Sequence, residues 1–222
     1  MREVVLDTET TGLDPAAGHR IVEVGCIELL NHLPTGKSFH RLVNPGRAMP
    51  TAAYEVHGLS DVLLAKQPPF ATVVAEFLEF IADSPLVIHN AAFDIAFVNA
   101  ELAALALPPI AESRAIDTVG MARRKFPGAP ASLDALCKRF AIDLSGREKH
   151  GALVDAELLA AVYLELLGGR QPALGLIAEA ETESATENRR VQRAPRPHAP
   201  SADEIAAHDA FLATLDKPIW KS

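Results

Sequence analysis

The amino-acid sequence predicts an α/β fold, a mixed β-sheet flanked by helices. Three observations carry this expectation: closely spaced strand-like runs before Asn44, alternating helical and strand-like segments after it, and a composition that is 49% hydrophobic and 23% charged. A chain of 222 residues with that balance can bury a sizeable core, which excludes a collagen, a repeat fibre or a wholly disordered protein.

Val4-Val5-Leu6 is a short continuous apolar run, as expected of a central strand covered on both faces, and it ends in Asp7 and Glu9. A loop with Gly12, Pro15 and Gly18 leads to a second strand over residues 20–29. A third, over 38–43, precedes the turn Asn44-Pro45-Gly46. Connections this short suggest an antiparallel meander. Phe70, Val73, Val74, Phe77 and Ile81 then repeat at helical spacing, and Pro85-Leu86-Val87-Ile88 reads as a buried strand. The next helix spans 94 to about 106 and stops at Pro108-Pro109. Ser132 is a candidate N-cap for a helix carrying Leu133, Leu136, Cys137 and Phe140, and a last helix, after His150, runs through Leu166 to Gly168-Gly169. Antiparallel strands followed by alternating strands and helices imply a mixed sheet in one domain, residues 1–170.

Beyond it, residues 177–200 are rich in Glu, Thr, Ser, Arg and Pro and nearly devoid of large apolar side chains, so this stretch is expected to be a flexible, disordered linker. Residues 201–222 differ. Ser201-Ala202-Asp203-Glu204 has capping-box form and precedes Ile205, Phe211, Leu212 and Leu215 on a short C-terminal helix, then Trp220. Such a helix is too short to be stable alone in water. It either docks back on its own domain or folds against a partner.

Cys26 and Cys137 form no CxxC pair or Cys/His cluster, so no disulfide framework or zinc module is indicated. The start lacks the apolar region of a signal peptide, and no apolar run reaches membrane-spanning length, so no membrane is expected as a partner and a cytoplasmic location is. A net charge of −8 argues against a broad basic nucleic-acid surface. Carboxylates neutralised by divalent metals can still meet phosphates.

Three groups of residues carry candidate chemistry. Asp7 and Glu9, two apart at a strand end, would point to the same side and could hold a hard cation between them; alternatively the strand has ended and both are solvated in a turn. Asp94 lies just past the carboxyl end of an apolar strand, where open α/β sheets place their sites, and equally suits the first turn of a helix. His150 and Asp155 could share a site if His150 precedes the helix and Asp155 lies in its first turns, which Gly151 permits; a surface histidine is the competing reading. His89 and Asn90 read first as structural hydrogen-bonding residues. Arg123-Arg124-Lys125, Arg147 and Lys149 either touch a substrate backbone or form a solvated charged face.

Taken together, Asp7-Thr8-Glu9-Thr10-Thr11-Gly12, His89-Asn90-Ala91-Ala92-Phe93-Asp94 and His150-Gly151-Ala152-Leu153-Val154-Asp155 resemble the three motifs of the DEDDh 3′-5′ exonucleases, in order and at similar separations. The resemblance covers about residues 3 to 167 and implies the ribonuclease H-like fold. Within that family the whole chain is similar to the proofreading epsilon subunits of bacterial DNA polymerase III. Tyr54-Glu55-Val56-His57-Gly58-Leu59 resembles their segment beside the terminal nucleotide, and Ile116-Asp117-Thr118 with Leu133-Asp134-Ala135-Leu136-Cys137 resembles their later core.

The resemblance implies two divalent ions, Mg²⁺ or Mn²⁺, with Asp7 bridging them, Glu9 and Asp155 completing the water-side site, Asp94 supporting the other, and His150 taking the proton of the attacking water. It implies a DNA 3′ end, single-stranded or frayed, as substrate, with Thr10, Leu13, Val56, His57 and Asn90 as contacts, although His57 is equally placed to be a core histidine. Gln171-Pro172-Ala173-Leu174-Gly175-Leu176 resembles a sliding-clamp peptide, with Gln171, Leu174 and Leu176 as anchors for the beta clamp. Phe211, Leu212 and Trp220 would meet the polymerase alpha subunit. Two alternatives stay open: an RNA-trimming exonuclease of the same superfamily, and a mainly structural replisome subunit.

Overall fold

The computed structural model describes residues 1–145, 149–169 and 199–215. The chain divides into two compact units, Met1–Gly175 and Leu176–Ser222.

In the first unit, β1 (Arg2–Thr10), β2 (Ile21–Leu30) and β3 (Leu33–Leu42) form an antiparallel meander; β4 (Leu86–Ile88) and β5 (Ala115–Asp117) then extend the sheet in parallel, in the order β3-β2-β1-β4-β5. The helices are α1 (Thr51–His57), α2 (Asp61–Leu64), α3 (Phe70–Ile81), α4 (Ala91–Ala104), α5 (Thr118–Lys125), α6 (Leu133–Arg139) and α7 (Ala152–Leu167). The expected mixed sheet with flanking helices is the observed one.

Strand alternation sorts β1 onto two cores. Val4 and Leu6 pack with Phe77 and Ile81 of α3 and Ile95, Val98 and Leu102 of α4. Val5, between them, packs on the other face with Leu136 of α6 and Leu159 and Val162 of α7. Both faces of the central strand are therefore dry, which is why its sequence is continuously apolar.

The β1 ladder continues through Asp7↔Gly25 and Glu9↔Glu23, so of the two readings of this pair the strand holds and the turn does not. Several boundaries differ from expectation. β3 begins at Leu33, five residues before the expected Ser38, because Asn31 and His32 both take left-handed φ (51° and 67°) and close a two-residue hairpin. Its first six residues are exposed, and Pro34 is tolerated because β3 is an edge strand. α4 starts at Ala91 and not Asp94, which sets Asp94 in its first turn. The short helices α1 and α2 carry too little periodicity to be seen in the sequence.

In the second unit, α8 (Ala202–Ala213) opens with the expected capping box, in which Ser201 accepts the Glu204 backbone N–H and Glu204 accepts the Ser201 N–H at 2.8 Å. Phe211 is exposed and Leu212, the apolar residue beside it, is buried. The expected linker from 177 to 198, and Gln171, Leu174, Leu176, Trp220 and Arg147, lie outside the described residues. No helix among the described residues is long and apolar enough to cross a membrane.

Candidate active site

The site forms at the end of β1, where it meets the first turns of α4 and α7. Asp7 and Glu9 share the β1 face that carries Val5, the face packed against α7. Thr8 points the other way and donates from its hydroxyl to Asp94 Oδ1 at 2.7 Å, which ties α4 to β1. Asp155, in the first turn of α7, is buried, and its Oδ2 lies 3.0 Å from His150 Nδ1. One ligand atom each from Glu9, His150 and Asp155 falls within a sphere of mutual distances no greater than 4.8 Å. His150 stands before α7 and faces Asp155, with its imidazole about half exposed.

Electrostatics mark this as a crowded anionic pocket. The Asp7 carboxyl is pushed well above its ordinary pKa, first by burial and then by Asp94, Glu9, Asp155 and Glu23. Burial pushes Asp94 up to about 7, against the hydrogen bonds from Thr8 that favour its charged form. Carboxylates gathered at this cost suit hard divalent cations, which take oxygen ligands and neutralise the repulsion. These buried, mutually repelling carboxylates therefore fit divalent metal ions.

Three supporting features were not singled out in the sequence. Glu23 on β2 accepts the Ala152 backbone N–H at 3.1 Å and meets His40 Nε2 at 2.6 Å, which fixes the start of α7. Gly25 lets α7 sit directly on β2, since a Cβ there would stand 2.3 Å from the Ala152 carbonyl carbon. Arg20 grips buried Glu101 with two bonds of 2.7 and 2.6 Å, which fastens α4 to the start of β2. A glycine and an acid inside an otherwise apolar strand were the available signal.

Beside the carboxylates lies a cavity of about 680 Å³ lined by Glu9, Thr10, Leu13, Val56, His57 and Phe93 among others. Leu13 stands at its rim, 85% exposed. His57 accepts the Leu59 N–H on Nδ1 at 3.0 Å, and burial lowers its pKa, so it is a neutral wall residue. Asn90 does not share this cavity: as the left-handed residue before α4 it lines a separate one with His89, Arg123 and Ser132. His89 bonds Thr118 Oγ1 at 2.9 Å, the structural role expected of it.

Comparisons with known proteins agree with this geometry. The family model described as Exonuclease (RNase_T) matches residues 4–163. The chain is 50% identical over 224 residues to DNA polymerase III subunit epsilon of Rickettsia felis, covering 98% of each chain. It is 42% identical over 238 residues to the Escherichia coli K12 protein of the same name, covering 100% of this chain and 98% of the other. Among solved structures, Exonuclease X in complex with 5′ overhanging duplex DNA is 27% identical with a TM-score of 0.59, over 74% of this chain and 90% of that one. The nuclease domain of 3′hExo, a DEDDh family member bound to rAMP, is 19% identical with a TM-score of 0.62, over 75% and 91%, and shows the shared fold. From its sequence match, its sheet and its converging carboxylates, the chain belongs to the exonuclease family, in the company of the epsilon subunits of DNA polymerase III.

Proposed function

We propose that this protein is the proofreading exonuclease of a DNA polymerase III, removing nucleotides from the 3′ end of DNA as nucleoside 5′-monophosphates. The observation that carries the reading is the convergence of Asp7, Glu9, Asp94 and Asp155 with His150 beside an apolar cavity of nucleotide size. Identity of 42–50% along nearly the whole length to epsilon subunits supports DNA over RNA.

Two divalent cations held by the four carboxylates would neutralise the scissile phosphate and polarise both the attacking water and the leaving 3′ oxygen. The chain's own residues set the geometry. Asp7 and Glu9 project from a rigid central strand, while Thr8 and Glu23 hold Asp94 and the α7 start in place. His150, its imidazole half exposed, can accept the proton of the attacking water and pass it to solvent. Thr10, Leu13, Val56 and His57 would form the seat of the terminal nucleotide. Asn90, in the neighbouring cavity, would serve the preceding one.

We further assign the polymerase alpha subunit to residues 201–222, with Phe211, Leu212 and Trp220 as anchors, and a sliding clamp to Gln171–Leu176. A catalyst this acidic would act best when a partner delivers the primer end.

The test is Mg²⁺-dependent digestion of 5′-labelled single-stranded DNA and RNA of equal sequence, with His150→Ala as control. A 3′-end ladder on DNA, reduced about 10²- to 10⁴-fold in the variant, is the expected result. Preference for RNA, or activity that survives His150→Ala, refutes it.

A further inference from the structure

The short helix α1 presents two functional faces. Ala53, Val56 and His57, three and four positions apart, line the nucleotide cavity. Tyr54 and Gly58, also four apart, meet Lys149 instead. The Lys149 ammonium lies 5.1 Å from the centroid of the Tyr54 ring. A Cβ on Gly58 would come within 2.8 Å of Lys149 Cδ, and φ of +74° independently calls for glycine there. The next residue, His150, donates its backbone N–H to the Val56 carbonyl at 3.3 Å. One helix thus forms the wall of the cavity and grips the two residues that carry the catalytic imidazole.

Such a grip has something to do. The His150 side chain is 49% exposed, against 6% for Asp155, so core packing constrains it far less than it constrains the carboxylate it faces. An imidazole that must meet one water molecule in the right direction loses rate when it wanders. We propose that Tyr54 and Lys149 are positioning residues: their ring-to-ammonium contact fixes His150 relative to α1, so that the element seating the terminal nucleotide also aims the base at its phosphodiester bond. The proposal rests on the exonuclease reading above. Neither residue is assigned a contact with the reacting atoms.

The experiment measures nucleotide release from single-stranded DNA at saturating substrate for the full chain and for Tyr54→Leu, Lys149→Met, the double variant, Tyr54→Phe and Lys149→Arg. Each of the first two should lower kcat about two- to fivefold, the size of an exposed cation–π contact. The double variant should fall no further than the lower single, because both changes remove one interaction. Tyr54→Phe and Lys149→Arg keep ring and charge and should restore kcat; metal-induced thermal stabilisation should be equal in all six proteins.

Three results overturn the proposal: additive losses in the double variant, a loss in Tyr54→Phe equal to that in Tyr54→Leu, or a raised KM with unchanged kcat, which would make Lys149 a phosphate contact instead. Tyr54→Phe guards against misreading a folding defect. A wild-type protein that releases no nucleotide overturns the exonuclease reading itself, and this proposal with it.

Discussion

Gly25→Ala should damage this protein out of proportion to one methyl group. Gly25 pairs with Asp7 across the β1–β2 ladder, and a Cβ at that position would stand 2.3 Å from the Ala152 carbonyl carbon and 2.4 Å from Ala152 O and Leu153 N. All three are backbone atoms in the first turn of α7, so no rotamer change relieves the overlap. Restoring a contact of about 3.5 Å requires α7 and β2 to separate by roughly 1 Å. The start of α7 is also held by Glu23 through the Ala152 N–H at 3.1 Å, and the separation would stretch that bond and carry Asp155 away from Asp7 and Glu9. Overpacking of this kind costs about 1–3 kcal/mol, or a melting temperature lower by roughly 2–12 °C in a chain of this size. A displacement near 1 Å at a catalytic ligand costs on the order of 10²-fold in rate. Differential scanning fluorimetry and single-stranded DNA digestion measure the two losses. Gly151→Ala is the matched control, since its Cβ would meet only Glu23 Oε2, at 3.9 Å; it should cost no more than about 1 kcal/mol as a weaker cap. If Gly25→Ala melts and turns over like the wild type, the close seating of α7 on β2 does not place Asp155.

Other outcomes follow from the same geometry. Asp7→Asn should abolish hydrolysis yet stabilise the metal-free protein against urea, because burial and the neighbouring carboxylates penalise the ionised Asp7; a destabilised variant would show that this penalty is absent. Because Asp94 is pushed up to about 7 while an unfolded aspartate titrates near 3.9, the folded form binds the extra proton. In chelator, that contribution is full below about pH 4 and lost as pH rises through about 7. Denaturation midpoints should therefore fall over that range, less so in Asp94→Asn or with Mg²⁺ present, and equal slopes in all three conditions would contradict this account. Arg20→Met leaves Glu101, 3% exposed, without its half-exposed bidentate partner and should cost about 1–3 kcal/mol in chemical denaturation. A cost below 1 kcal/mol would mean that α4 is held by its apolar face alone.

Much of the fold was legible because it is written in local periodicity. Val4 to Leu6 is continuously apolar since both faces of β1 are covered, and the helical spacing from Phe70 to Ile81 is the face that α3 buries. The chemistry was legible as residue types: paired carboxylates two apart, an aspartate past a strand, a histidine five before another. Elements with weak local signals escaped. The early half of β3 is exposed and polar, and its start depends on two left-handed residues that no hydrophobic pattern announces. The seven residues of α1 are shorter than two full turns, so their two faces could not be told apart.

The sequence by itself determined an α/β chain with a central apolar strand, four candidate carboxylates and one candidate histidine. That follows from side-chain chemistry and from periods of two and 3.6 residues, both properties of short windows. Only the tertiary structure decided that Asp7, Asp94 and Asp155 lie close enough to repel one another, that Asn90 belongs to a different cavity from His57, and that Glu23 and Gly25 seat α7 where Asp155 feels Asp7. These relations join residues up to 148 positions apart, from Asp7 to Asp155. They depend on how closely two backbones can approach, a property of the packed pair that neither segment carries alone.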